Sequence, residues 1–307
     1  MNIKSNILVR SLIIIVFFIA STALASVNSI AINGNLIFYR HILNKGSKFQ
    51  GTILFFNGSG APMREWTSNK AFMHCIEKLG DIFLYDRSGL GNSPPDPSLS
   101  SQNPLTAKFV NFKLNKLLHI LKVHPPYLIV AHSYGAMYAG YFARKNPKLI
   151  KGILFVDPVP LDYQWSEKLY VNHGITRNKV QELAKLSNKY LYKHYRLEDK
   201  MSAQLLYQLL GFDKTKEQIS ALPPLPNKIP VLILSSAYMQ NNAPIKGSWF
   251  DLQKQWLNKN KLSQIIKIKS GHFIQIEHSR FVCDKIKMLL RASLQIISQG
   301  ARNGYAI

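Results

Sequence analysis

Short apolar runs recur along this chain and alternate with stretches whose apolar residues return every three or four positions. The runs at 52–56, 82–85, 128–131, 152–156 and 231–234 have almost no polar interior positions. They read as strands buried on both faces, as in a parallel sheet covered by helices. Ile265-Ile266-Lys267-Ile268 reads as a further strand. Between them, 65–79 is expected to be one helix with Trp66, Met73, Ile76 and Leu79 inward. The next helix, 106–123, carries its periodicity through Phe109, Phe112, Leu117 and Leu121, and Pro125-Pro126 stops it. A closing helix is expected over 281–297. Asn33-Gly34, flanked by Ile30-Ala31-Ile32 and Leu36-Ile37-Phe38-Tyr39, signals a type I′ hairpin. From Asp157-Pro158 to Pro226 nothing reads as strand. Residues 169–210 are amphipathic at helical period, broken at Gly174 and Gly211. The alternation defines an α/β class, with a mostly parallel sheet wrapped by helices on both faces.

Composition narrows this further. At 47% hydrophobic and 18% charged, the 307 residues are globular, neither disordered nor polytopic. The length suits one large domain with an insertion, or two small domains. Residues 1–25 follow a separate logic. Lys4 and Arg10 precede an apolar core, and Ala23-Leu24-Ala25 supplies small residues at the cleavage-determining positions. This reads as a secretory signal cleaved after Ala25, with a core short for a membrane span, so the protein is expected to be periplasmic or secreted. The net charge of +23 is spread along the chain. Without a compact basic block it does not read as a nucleic-acid surface. It fits either a solvated Lys-rich surface or attraction to an anionic membrane. No Cys/His spacing suggests a metal site, and Cys75 and Cys283 permit one disulfide in an exported protein.

Candidate chemistry begins at Ala131-His132-Ser133-Tyr134-Gly135. An apolar run breaks there and resumes as Met137, Tyr138, Tyr141 and Phe142 at helical spacing. That is strand, sharp turn, helix, with Ser133 at the apex. Such a turn crowds the backbones beside it, so the residues two before and two after the serine must be small, as Ala131 and Gly135 are. It also lifts the hydroxyl above the sheet and aims the Tyr134 N–H at the same point. Three more strings end apolar runs: Phe55-Phe56-Asn57-Gly58-Ser59-Gly60, Tyr85-Asp86-Arg87-Ser88-Gly89-Leu90-Gly91-Asn92-Ser93 and Ser270-Gly271-His272-Phe273. Together, in this order, the four motifs resemble the α/β-hydrolase superfamily over roughly residues 35 to 295.

That resemblance implies a hydrolase core built from 26–160 and 227–307. A helical cap, 161–226, is inserted after the sixth strand. It implies a serine hydrolase acting on an ester or related acyl bond of a small-molecule or lipid substrate, with no metal or cofactor. Ser133 would be the nucleophile and His272, directly after the last strand, its base. His132, beside Ser133, is read as a packing residue. The acid is left open. Its usual place, after the strand ending at Leu234, holds no carboxylate through Asn242, and the first one beyond is Asp251. Some relatives carry the acid one strand earlier, where Asp157 stands in a position equally suited to a turn residue. Asp157 is the first choice, Asp251 the alternative, and a water-supported dyad the third. Glu277 lies too close behind His272 to turn back. The N–H groups of Tyr134 and Ser59 would form the oxyanion hole. Asn57 replaces the family's histidine and can brace that turn by hydrogen bonding, while Asp86 and Arg87 are expected to hold loops in place. Epoxide hydrolases and haloalkane dehalogenases of this fold use aspartate at the elbow, so Ser133 argues against them. Aminopeptidase or acyltransferase activity, or a silent ligand-binding relative, remains open. The fold also implies that the helices carrying Cys75 and Cys283 cover the same face, making a disulfide between them an expectation to test.

Overall fold

Apolar alternation along the strands generates two core layers, one on each side of a single eight-stranded sheet. The strands are β1 (Asn28–Ile32), β2 (Asn35–Ile42), β3 (Thr52–Phe56), β4 (Asp81–Tyr85), β5 (Tyr127–His132), β6 (Ile150–Val156), β7 (Val231–Ser236) and β8 (Gln264–Ile268). Their spatial order is β1-β2-β4-β3-β5-β6-β7-β8. β1 and β2 pair antiparallel, as do β2 and β4, and every other pair is parallel. The computed structural model describes residues 27–166 and 203–303, with Thr176, Asn178 and Glu182 between them. The expected signal segment and half of the expected cap lie outside the described residues.

Because side chains alternate along a strand, Ile53, Phe55, Leu128, Val130, Leu154 and Val156 share one layer. Leu54, Phe56, Ile129, Ala131, Ile153 and Phe155 share the other. Over the first layer lie α1 (Arg64–Thr67) and α2 (Lys70–Ile76), with α9 (Ile274–Glu277) and α10 (Ser279–Asn303) from the far end of the chain. The second is covered by α3 (Ala107–Ile120) and α4 (Gly135–Lys145). Between β6 and β7, α5 (Ala203–Leu210) and α6 (Phe212–Ser220) extend that second layer, and Leu206, Tyr207, Phe212 and Ile219 are buried in it. After β7 come two short helices, α7 (Ala237–Asn242) and α8 (Trp249–Gln253). Each fully buried Leu, Ile or Phe contributes roughly 2 kcal/mol, so layers of this extent hold the strand ends rigidly.

Two expected helices differ from the sequence reading. Residues 65–79 do not form one helix. The Asn69 side chain accepts the Phe72 N–H at 3.0 Å and starts a new helix, separating α1 from α2. This break leaves Glu65 on α1, near the turn after β3. In α3 the inward face is Val110, Leu114 and Leu117, whereas Phe112 is exposed beneath the Lys116 ammonium, 4.7 Å from its ring centre. The hairpin behaves as expected, with Asn33 at φ 51° and Gly34 at φ 75°. Cys75 and Cys283 are bonded, with Cα atoms 6.5 Å apart, joining α2 to α10 across 208 positions of sequence.

Candidate active site

The turn from β5 into α4 holds Ser133 in the left-handed region at φ 51°, an uncommon state for a residue with a side chain. Its N–H donates to Val156 O at 3.1 Å and its carbonyl accepts from Val159 N–H at 3.1 Å, so the end of β6 pins it on both sides. Gly135 explains why the motif demands a small residue there. A Cβ on it would lie 2.5 Å from Asn57 O and 2.6 Å from Phe56 O, both main-chain atoms of the neighbouring strand end.

Above this apex the structure brings together residues far apart in sequence. His272 Nε2 lies 2.8 Å from Ser133 Oγ, and His272 Nδ1 lies 2.6 Å from Asp157 Oδ2. Asp157 is fully buried at the end of β6, with φ 45°. Its other oxygen, Oδ1, accepts from Ser236 N–H at 3.0 Å, Trp249 Nε1–H at 2.7 Å and Gln253 Nε2–H at 3.1 Å. Four donors therefore converge on one carboxylate and fix its direction. Asp251 is elsewhere. It is exposed on α8, bonded to Lys254 at 2.7 Å, and that hydrogen bond holds its carboxyl below the usual range. Glu277 accepts from Ser270 Oγ–H and Gly271 N–H, bracing the turn that precedes His272. Ser236 Oγ–H donates to Ser270 O at 2.8 Å and braces the same turn from β7.

Burial lowers the proton affinity of His272, the hydrogen bond to Asp157 raises it, and the neighbouring His132 lowers it again. The net direction is down. At neutral pH the ring is a free base, with Nδ1–H directed at Asp157 and the Nε2 lone pair facing the serine.

His132 is not merely packing, as the sequence reading had it. It is 1% exposed, and both ring nitrogens are engaged: Nδ1 with Glu65 Oε2 at 3.0 Å and Nε2 with the His272 carbonyl at 3.1 Å. Glu65 Oε1 in turn accepts the Gly58 N–H at 2.8 Å.

The turn after β3 is held from several directions. Arg87 donates to Asn57 O at 2.8 Å and Gly58 O at 2.6 Å, Asn57 Nδ2–H donates to Tyr85 O at 2.9 Å, and Asp86 Oδ1 accepts Met63 N–H at 2.6 Å. Asp86, Arg87 and Asn57 thus tie loops together, as expected. The N–H groups of Ser59 and Tyr134 donate to no other atom among the described residues. Both residues border the same cavity as Ser133 and His272.

That cavity is about 360 Å³. Its walls include Val159, Trp165, Leu209, Phe212, Met239 and Trp249, contributed by the β6 and β7 loops and by α5 and α6. Among the described residues no Asp, Glu, Lys or Arg lines it. Gln208, wholly buried on α5, reaches in and donates from Nε2 to Ser59 Oγ at 2.5 Å. Its Oε1 accepts from Tyr138 Oη–H and Gln204 Nε2–H, each at 3.2 Å, which fixes the orientation of the amide. The sequence reading missed Gln208, Glu65 and Trp249. Gln204 and Gln208, four apart in an otherwise apolar helical stretch, were the one local signal.

A model of the alpha/beta hydrolase fold family matches residues 51–172, the segment holding the β3 turn, the elbow and Asp157. Over that segment the chain is similar to the α/β-hydrolase family, and its sheet and helices have the α/β-hydrolase fold. Uncharacterized protein YqjL of Bacillus subtilis (strain 168) is 39% identical over 107 residues, which is 35% of this chain and 39% of YqjL. The chain spans 30% to 63% of the length of the curated relatives it matches. Among solved structures, haloalkane dehalogenase DbeA from Bradyrhizobium elkani USDA94 superposes with TM-score 0.63 at 15% identity, covering 88% of this chain and 99% of that one. A putative lipase (lip1) from Acinetobacter baumannii AYE gives TM-score 0.63 at 16% identity over 88% and 92%. At these identities the likeness is one of fold.

Proposed function

We propose that the protein is an exported serine hydrolase that cleaves an ester or related acyl bond through an acyl-enzyme on Ser133. One observation carries the reading: the unbroken hydrogen-bonded chain Asp157–His272–Ser133, opening into an apolar cavity beside two N–H groups that donate to no other atom among the described residues. Ser133 Oγ attacks the acyl carbon while its proton passes to His272 Nε2, and Asp157 orients the imidazolium that forms. The carbonyl oxygen becomes an oxyanion held by the Ser59 and Tyr134 N–H groups. On collapse the alcohol leaves with the proton from His272. Water then enters, gives its proton to the same nitrogen and attacks the acyl carbon, releasing the acid and restoring Ser133.

A serine nucleophile separates this chain from the dehalogenase whose fold it shares. Alkylating a serine would leave an ether, which lacks the acyl carbon that water must attack. The apolar, uncharged walls favour a neutral acyl chain, in a cavity volume ordinary for small-ligand sites. They also offer no carboxylate, among the described residues, to hold the ammonium of an aminopeptidase substrate. Export is supported by the expected signal segment and by the Cys75–Cys283 disulfide, which persists in an oxidising compartment. The charge of +23 supports a contact with anionic lipid. That contact should show as vesicle binding that weakens sharply with salt, and equal binding to neutral vesicles would remove it.

The test is labelling with a fluorophosphonate probe, together with hydrolysis of p-nitrophenyl esters of increasing chain length. The wild-type protein should label and turn over, and Ser133→Ala should do neither. An oxidised, folded wild-type protein that does neither would overturn the proposal.

A further inference from the structure

Glu65 and His132 lie outside the reacting chain, yet they touch both of its supports. The Glu65 carboxylate holds the Gly58 N–H of the oxyanion turn, and His132 holds the main-chain carbonyl of His272. Proton bookkeeping decides what the pair is. A carbonyl oxygen only accepts, so His132 Nε2 must carry a proton. The 3.0 Å contact between Nδ1 and Glu65 Oε2 needs one more proton between two otherwise basic atoms. Either both ring nitrogens are protonated beside a carboxylate, or a neutral imidazole faces a carboxylic acid. Burial draws the His132 proton affinity down, whereas the charge and hydrogen bond of Glu65, the charge of Asp157 and the His272 carbonyl together draw it up, and the net direction is up. With Glu65 Oε1 accepting the Gly58 N–H and Oε2 facing the ring nitrogen, both carboxyl oxygens are placed as acceptors, and together with the direction at His132 this favours the imidazolium–carboxylate form.

The setting is built for this pair. A Cβ on Gly58 would lie 2.9 Å from His132 Nδ1 and 3.4 Å from Glu65 Oε2, so only glycine lets the turn approach. Trp66 meets the His132 ring edge-on, and Phe273 lies with its ring centre 5.0 Å away. The titratable groups facing His132 are Glu65 from α1, His272 from the loop after β8 and Asp157 from the end of β6. Its ring centre is 4.7 Å from that of His272.

We propose that Glu65 and His132 form a buried ion pair that acts as a positioning unit, binding the oxyanion turn to the segment carrying His272 and placing a fixed positive charge beside that ring. The pair touches no reacting atom. Its catalytic meaning rests on the proposed role of His272, but its protonation does not. A cation beside His272 disfavours a second proton there, whereas Asp157 and Glu65 favour one. With His132 the nearer partner, losing the pair's charge should make His272 easier to protonate.

The test is nitrogen-15 NMR of the histidine side chains in the oxidised full chain, titrated with pH. Wild-type His132 should carry protons on both ring nitrogens at pH 7. Glu65→Gln can still accept from Gly58 and donate to His132 Nδ1, so it keeps the contacts and removes the charges. His132 should then become neutral, and the His272 midpoint should move to higher pH. Ester hydrolysis should follow, with kcat/KM on the acid limb lower by roughly threefold to tenfold at fixed pH. A purely structural pair would slow the reaction at every pH without moving the midpoint. A singly protonated His132 in the wild type, or an unmoved His272 midpoint in folded Glu65→Gln, would overturn the proposal. If Glu65→Gln does not fold, the wild-type protonation of His132 decides alone. Absence of ester hydrolysis in the wild type would count against the proposed function and leave the NMR result standing.

Discussion

Trp249 donates its indole N–H to Asp157 Oδ1 at 2.7 Å, from a helix that follows the strand after the one carrying Asp157. The end of β7 and the segment after it, where a carboxylate is usual, here supply donors to a carboxylate just past β6 instead. Ser236 N–H and Gln253 Nε2–H complete the set. Asp157→Asn would place an amide against His272 Nδ1 and should lower kcat by about 10⁴-fold, with the fold intact. Asp251→Asn, altering an exposed residue bonded to Lys254, should stay within about twofold of wild type. Measured kcat values with thermal melts as controls decide this, and the reverse order would transfer the role to Asp251.

Ser59 separates main-chain from side-chain contributions. Ser59→Ala keeps the N–H and loses only the contact with Gln208, so the fall in kcat should be modest, about tenfold at most. Ser59→Pro removes the donor itself and should cost about 10² to 10³ in kcat. Similar values for the two variants would mean that the Ser59 N–H does not serve the oxyanion.

Gly135→Ala tests the tightness of the elbow. The added methyl would meet two main-chain carbonyls that β3 holds in place. The expected result is a loss of about 1–3 kcal/mol in stability, read from the denaturant midpoint, with slower ester hydrolysis. A variant as stable and active as wild type would show that β3 and β5 can part there.

Reducing the Cys75–Cys283 bond releases a constraint across 208 positions. In the chain-entropy model this removes on the order of 5 kcal/mol. Urea midpoints with and without reductant should differ accordingly, and Cys75→Ala should match the reduced protein. Coincident midpoints would remove the bond from the stabilising interactions.

Much of this was legible because it is written locally. Thr52–Phe56 and Val231–Leu234 are apolar throughout or nearly so, Ser133 follows another such run, and His272 follows the mixed strand Ile265-Ile266-Lys267-Ile268. The break at Asn69 was also local, but a single capping residue was outweighed by the apolar spacing on either side. What stayed hidden depends on contacts across the sheet. Asp157 and His272 are 115 residues apart, and Glu65 and His132 are 67 apart. Nothing near Asp157 in sequence announces Trp249 or Gln253. Nor does anything near His132 mark it as more than a residue in a buried strand.

With the carboxylate just past β6, chemistry and selectivity are written in different stretches of chain. Ser236 and Trp249 anchor Asp157 at either end of the loop between them, whereas Tyr238, Met239, Asn242 and Pro244 face the cavity and give Asp157 nothing. Those side chains form an exchangeable cassette. A lineage, or an engineer, can reshape the pocket there while the proton relay stays untouched.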